Sequence, residues 1–118
     1  MSDAAFIAKA YLETWNETDD AKRQSLLKKY WTEDATYVDP LMSADSAAQI
    51  SSLVGAVHER FPGFRFKPTG TPNQYVRLSW SLGPDGTEAP IEGSDVVLVD
   101  EGRIRQVVGF IDRAPAPT

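Results

Sequence analysis

The sequence contains no cysteine, which excludes disulfides, thiol nucleophiles and thiolate metal sites. It has a single histidine, His58, and no second histidine or carboxylate cluster at ligand spacing, so no metal is expected. No apolar run approaches the roughly 18 residues that cross a bilayer. The acidic start Met1-Ser2-Asp3 lacks the basic lead of a signal peptide, and a cytoplasmic protein with no membrane partner is the expectation. Positive charge is also short. Twelve Lys and Arg against 17 Asp and Glu leave a net charge of −5, which repels phosphate backbones and argues against a nucleic-acid partner. Phosphate-binding loops, nucleophile elbows and haem motifs are missing too, so no cofactor is expected.

What remains is an ordinary globular composition, 42% hydrophobic and 25% charged over 118 residues. That length suits one domain with one core and one modest cavity. Residues 1–113 read as the domain, and residues 114–118 as a disordered Pro/Ala tail.

Ser2 to about Asn16 reads as a helix, with Ile7, Tyr11 and Trp15 forming a buried stripe. Thr18-Asp19-Asp20 caps a second helix running to about Trp31, with Leu26, Leu27, Tyr30 and Trp31 inward. Its basic residues Lys22, Arg23, Lys28 and Lys29 read as the solvated face. Ala35 to Asp39 reads as a short strand closed by Pro40. Ser43 to about Arg60 is the third and longest helix, ended by Phe61-Pro62-Gly63, and Gly55 within it suggests close packing. Strands follow at about Phe64–Pro68, Gln74–Leu82, Ala89–Val99 and Arg103–Ile111, divided by the turn signals Gly83-Pro84-Asp85-Gly86 and Asp100-Glu101-Gly102.

Helices first and antiparallel strands after predict an α+β domain with helices on one face of a sheet. Val76, Leu78, Trp80 and Leu82 share one face of their strand. The last two strands differ: Val96 and Leu98 oppose Val97 and Val99, and Ile104, Val108 and Phe110 oppose Val107 and Ile111. A half-solvated sheet alternates cleanly, so two apolar faces call for two covers. The helices supply one. A second copy of the chain, as a homodimer through the outer sheet face, is expected to supply the other.

The stretch from Leu26 to Pro40, ending Tyr37-Val38-Asp39-Pro40, the Phe61-Pro62-Gly63 helix end and Gly102-Arg103-Ile104 before the last strand resemble the nuclear-transport-factor-2-like superfamily. The nearest likeness is to its polyketide-cyclase-like (SnoaL-like) and ketosteroid-isomerase-like branch. The likeness runs from about Ala4 to Asp112. It implies a cone: three N-terminal helices packed on a curved, mostly antiparallel sheet, with a small hydrophobic ligand at the mouth. It says less about activity, because this fold hosts many unrelated ones.

The resemblance also nominates residues. Asp39 matches the aspartate that is the general base of ketosteroid isomerases, able to shuttle a proton between carbons of a bound ketone. As an Asp before Pro, it equally suits a local turn. Tyr11 matches the tyrosine that stabilises the enolate oxygen, or is a core tyrosine of the helix stripe. For the third member the alignment reaches Ser94, with Asp95 one residue on. Neighbouring strand residues face opposite ways, so both enter the pocket only if a bulge intervenes, which Gly93 would permit. Asp95 inward would make the chain more like the cyclase branch. Trp15, Tyr37, Met42, Val57, His58, Trp80, Ser94 and Phe110 complete the candidate pocket, all equally suited to core packing. His58 also suits the dipole at its helix end. Three readings stay open: a cofactor-independent isomerase or cyclase-like enzyme acting on a hydrophobic carbonyl compound, a pocket that binds a metabolite unchanged, and a structural dimer.

Overall fold

Asp19 stops the loop after the first helix by turning its carboxylate onto the Lys22 amide, 2.9 Å away, and so starts a new helix. The computed structural model describes residues 3–69 and 77–115. In chain order these are α1 (Asp3–Asn16), α2 (Asp20–Tyr30), β1 (Trp31–Val38), β2 (Ser43–Ala44), α3 (Ala47–Arg60), β3 (Phe64–Thr69), β4 (Arg77–Pro84), β5 (Ile91–Asp100) and β6 (Arg103–Arg113). Val76 and most of the expected start of β4 lie outside the described residues.

Several boundaries depart from the sequence reading: β4 runs on through Gly83 and Pro84 of the expected turn, which pair with Arg65 and Phe64, and two larger shifts follow. Trp31 opens β1 instead of closing α2. It is fully buried, and its Nε1 donates to Thr14 Oγ1 at 3.1 Å, so tertiary packing decides the conformation. Helix α3 starts at Ala47, not Ser43. Ser43 and Ala44 pair back on Val38 and Tyr37 as a hairpin, and Ser46 caps the helix by accepting from the Gln49 amide.

The sheet order is β2-β1-β6-β5-β4-β3. β1 joins β6 in parallel, and all other neighbours are antiparallel. The early strand thus docks on the last, and the sheet curves around the helices into the expected cone. Leu78, Trp80 and Leu82 face inward as their parity predicts. On β6 the parity shifts. Leu98 pairs with Gln106 and Val99 with Ile104, which leaves Arg105 as an extra residue. Ile104 and Val107 are therefore both buried, whereas simple alternation put Ile104 with Val108 and Phe110. Asp112 is a second extra residue, between the Gly93–Ile111 and Glu92–Arg113 pairs.

Arg23 corrects another expectation. Lys22, Lys28 and Lys29 are exposed, but Arg23 is buried between α2 and α3. Its guanidinium donates to Ser51 Oγ, Glu17 O and Asp20 Oδ1 at 2.9, 2.8 and 3.2 Å. A Cβ on Gly55 would stand 3.2 Å from the same guanidinium, so the glycine that weakens α3 also leaves room for Arg23.

The end of α1 clips the edge strand β3. Asn16 Nδ2 donates to Phe66 O at 2.8 Å and the Phe66 amide donates to Asn16 Oδ1 at 2.7 Å. One side chain here does the work of a neighbouring strand. Among the described residues, no helix is long and apolar enough to cross a membrane.

Candidate functional site

The site begins at the turn between β1 and β2. Asp39 Oδ1 accepts from the Leu41 and Met42 amides at 2.7 and 2.9 Å, and the Asp39 amide donates back to Met42 O. This is the turn role expected of Asp before Pro. The other carboxylate oxygen, Oδ2, accepts from the Tyr37 hydroxyl at 2.7 Å. Both oxygens of Asp39 are engaged, by three donors in all.

Asp95 differs. It lies in the middle of β5 and is only 2% exposed. Trp80, on β4, reaches along the sheet to donate from Nε1 to Asp95 Oδ2 at 2.8 Å. The indole can lie there because Trp80 pairs across from Gly93, where any Cβ would collide with the ring. Oδ1 of Asp95 closes no hydrogen bond among the described residues. Burial pushes the Asp95 carboxyl up to about 6, a rise that Tyr11 and Trp80 partly oppose and the charges of Asp39 and Asp112 reinforce. Tyr11 thus stands beside the carboxylate, near enough to favour its charged form, without closing a well-aligned bond to Oδ1.

The two tyrosines remain phenols. Burial first and the Asp95 charge second drive both Tyr11 and Tyr37 well above the ordinary tyrosine range, so each is available as a hydrogen-bond donor. Asp95 Oδ1, the Asp39 side chain and the Tyr37 hydroxyl converge over Gly109, around the space a Cβ there would fill.

This polar cluster sits in the wall of a cavity of about 730 Å³. Its remaining lining is largely apolar, and an aromatic chain runs through it. Trp15 lies 5.4 Å from both Tyr37 and Phe66, and Phe66 lies 5.3 Å from Trp80, centroid to centroid. Trp15 Nε1, like Asp95 Oδ1, is buried and closes no hydrogen bond among the described residues. A donor and an acceptor at the site are therefore left over, where most buried polar atoms are paired.

Of the residues nominated from the sequence, the structure brings Tyr11, Trp15, Tyr37, Asp39, Met42, Val57, Trp80 and Asp95 to this cavity. Three nominated residues stand elsewhere. Ser94 pairs with Ser79 and Phe110 in the sheet and faces away from the cavity, because Asp95 takes the inward position. The bulge near Gly93 lies on β6, at Asp112, and does not shift β5. Phe110 is 49% exposed on the outer face, a consequence of the parity shift at Arg105. His58 Nε2 donates to the Trp15 carbonyl at 2.6 Å, tying α3 to α1 as a structural link.

Phe61, Phe66, Leu82, Ile91, Ile111 and Arg60 line the cavity without having been singled out. The signal was there for four of them: Leu82 shares the parity of Trp80, and Ile91 that of Asp95. Arg60 and Phe61 follow Val57 by three and four residues, one face of a helix. Ala114 and Pro115, assigned to a free tail, also border the cavity, and residues 116–118 lie outside the described residues. Among the described residues no three His, Cys, Asp or Glu side chains gather as a metal site.

The profile of the SnoaL-like domain matches residues 8–107. A crystal structure from Agrobacterium tumefaciens, provisionally named an isomerase of the SnoaL-like family, is 40% identical, with 95% of this chain and 99% of that one aligned at a TM-score of 0.88. A protein from Kribbella flavida, provisionally named a ketosteroid isomerase, is 18% identical over 98% of this chain and 82% of its own, at a TM-score of 0.65. An NTF2-like protein of unknown function from Cytophaga hutchinsonii is 11% identical over 95% and 92%, at 0.66. At the two lower identities the likeness shows the fold alone. Among curated proteins none matches the sequence.

Proposed function

The chain belongs to the SnoaL-like domain family, and from that premise we propose that it moves a proton on a small hydrophobic carbonyl compound without a cofactor. Asp95 is the proton-transfer group and Tyr11 the donor to the developing enolate oxygen. The observation that carries this reading is a buried carboxylate with one unengaged oxygen, set in an apolar cavity between two phenols.

In its ionised form Asp95 Oδ1 takes a proton from the carbon beside the carbonyl. The electron pair of that C–H bond moves onto the carbonyl oxygen, where the Tyr11 hydroxyl meets it with a hydrogen bond that strengthens as charge develops. Asp95 then returns the proton to the same carbon or to a conjugated one. The proton is borrowed and given back, so no oxidant, reductant or metal enters the balance. A carboxyl that titrates at about 6 is ionised at neutral pH and is a stronger base than an exposed aspartate. Asp39, the base suggested by the resemblance, already has both oxygens engaged, so its part here is to hold Tyr37 in place.

Deuterium exchange at the carbon beside the carbonyl of 1-tetralone and 2-tetralone, followed by NMR, tests this. Exchange is expected above the buffer rate, with kcat/KM rising to a plateau above about pH 6 and falling about 10²- to 10⁴-fold in Asp95→Asn. Saturable binding with no exchange would leave a binding protein without chemistry.

We propose as well that a second copy covers the outer face of the sheet. Val38, Val108 and Val96 stand side by side across β1, β6 and β5. Leu98 and Phe110 beside them are 44% and 49% exposed. A contiguous apolar patch on a sheet face is a site for association.

A further inference from the structure

Among the described residues the cavity is lined by one basic side chain, the solvent-exposed Arg60, and proton transfer at Asp95 does not explain its position. Arg60 lies in the last turn of α3 and lines the cavity. Among the described residues the other lining groups that carry charge are Asp39 and Asp95. Most arginines of this protein are bound to acceptors of its own. Arg23 holds Ser51 and Asp20, Arg65 the Asn16 carbonyl, Arg103 the Lys28 carbonyl, and Arg113 Glu92 and the Ala89 carbonyl. Arg60 forms none of the ion pairs found among the described residues; its guanidinium lies over the Phe61 ring, 5.8 Å from the centroid. Helical spacing agrees. The residues three and four before it are Val57 and Ala56, and those after it are Gly63 and Phe64, so no carboxylate is placed to meet it along the helix.

Arg60 and Asp95 also belong to different parts of the cavity. The Phe61 ring beside Arg60 stacks on Phe64, centroids 5.1 Å apart. Phe64 pairs with Pro84, whereas Asp95 pairs with Leu78. Those two positions of β4 are six residues apart, roughly 20 Å along an extended strand before curvature shortens it. The cavity therefore has an acid–base pole and, at its other end, a guanidinium on an aromatic ring with apolar surface between.

We propose that Arg60 selects ligands bearing an anionic group, so that the substrate class is a flat apolar carbonyl compound with a carboxylate or similar acid remote from the reacting carbonyl. An acid near Asp95 and Asp39 is repelled, and one at Arg60 gains a charge-assisted hydrogen bond. The same pair of poles fixes which end of the ligand meets Asp95. The charge selection rests only on the cavity being a ligand site, whereas the carbonyl in the substrate class rests on the proton transfer proposed for Asp95.

Fluorescence titration with two probes of one shape tests it: 8-anilinonaphthalene-1-sulfonate, which is anionic, and N-phenyl-1-naphthylamine, which is neutral. The full chain is used as wild type, Arg60→Gln, Arg60→Lys and Asp95→Asn, each checked by circular dichroism and thermal melting. The expected result is a loss of sulfonate affinity of about ten- to a hundredfold in Arg60→Gln, partial retention in Arg60→Lys, and neutral-probe affinity unchanged in both. Equal sulfonate affinity in wild type and Arg60→Gln overturns the proposal. So does a parallel loss of both probes, or a wild type that binds neither. Asp95→Asn is expected to keep the Arg60-dependent sulfonate binding, so an absence of tetralone exchange alongside intact charge selection would remove the chemistry and leave the selectivity standing.

Discussion

Gly109 stands directly across the β5–β6 ladder from Asp95, and a Cβ placed on it would lie 2.5 Å from Asp95 Oδ1. That separation is well inside van der Waals contact, so the missing side chain is what lets the carboxylate occupy its place. The same Cβ would lie 3.2 Å from both the Asp39 Cβ and the Tyr37 hydroxyl. Gly109→Ala is expected to displace the Asp95 carboxylate and to cost about 1–3 kcal/mol of stability, as overpacking does. Exchange activity should fall further than that loss of folded protein explains. Denaturation curves measured beside kcat/KM check it; full activity in a stably folded variant would remove Asp95 Oδ1 from the reaction.

Much of this was legible beforehand, and the gaps have physical causes. Helix stripes revealed α1, α2 and α3, the Asp19 cap marked the start of α2, and the period-two pattern gave the inward face of β4, because those signals are local. The orientation of Asp95 was not legible. One inserted residue flips a strand's faces, and whether a bulge occurs depends on how two strands pair. Gly93 suggests a bulge on β5, whereas the pairing leaves the extra residues on β6, at Arg105 and Asp112. The burial of Arg23 was hidden for a similar reason: its partner Ser51 is 28 residues away and appears only when α2 packs on α3. Asp39 was ambiguous between turn and site; its Oδ1 caps the turn, and its Oδ2 accepts from the Tyr37 hydroxyl in the cavity wall.

The buried Asp95 should make stability fall as pH rises. Its folded-state value of about 6 is above the ordinary 3.8. Between those two values the folded protein holds a proton that the unfolded chain has released. Stability therefore decreases through that window and stays lower above it. A difference of about two pH units corresponds to roughly 3 kcal/mol. Asp95→Asn carries no such charge, so it should be more stable than wild type at pH 8 and lose that advantage at pH 4. Urea denaturation at both pH values measures the change. A constant difference between the two proteins would show that Asp95 is not the group whose burial opposes its charge.

The outer face supplies the last test. Phe110 projects from β6 beside Val108, and Leu98 and Val38 extend the apolar surface on either side. If a second copy covers this surface, an introduced carboxylate there must be desolvated or the pair must separate. Phe110→Glu is expected to convert a dimer to monomer in sedimentation velocity at micromolar concentration. Its own fold should survive, because Phe110 is half exposed and outside the core. The cavity lies on the opposite side of the sheet, so tetralone exchange per folded chain should change little. A wild type that sediments as monomer would end the dimer reading. A variant that stays dimeric would move the interface to another surface, such as that around Phe6, which is 56% exposed on α1. A variant that separates and also loses exchange would couple the two sides of the sheet through β6, the strand that carries Phe110 on one face and Gly109 on the other.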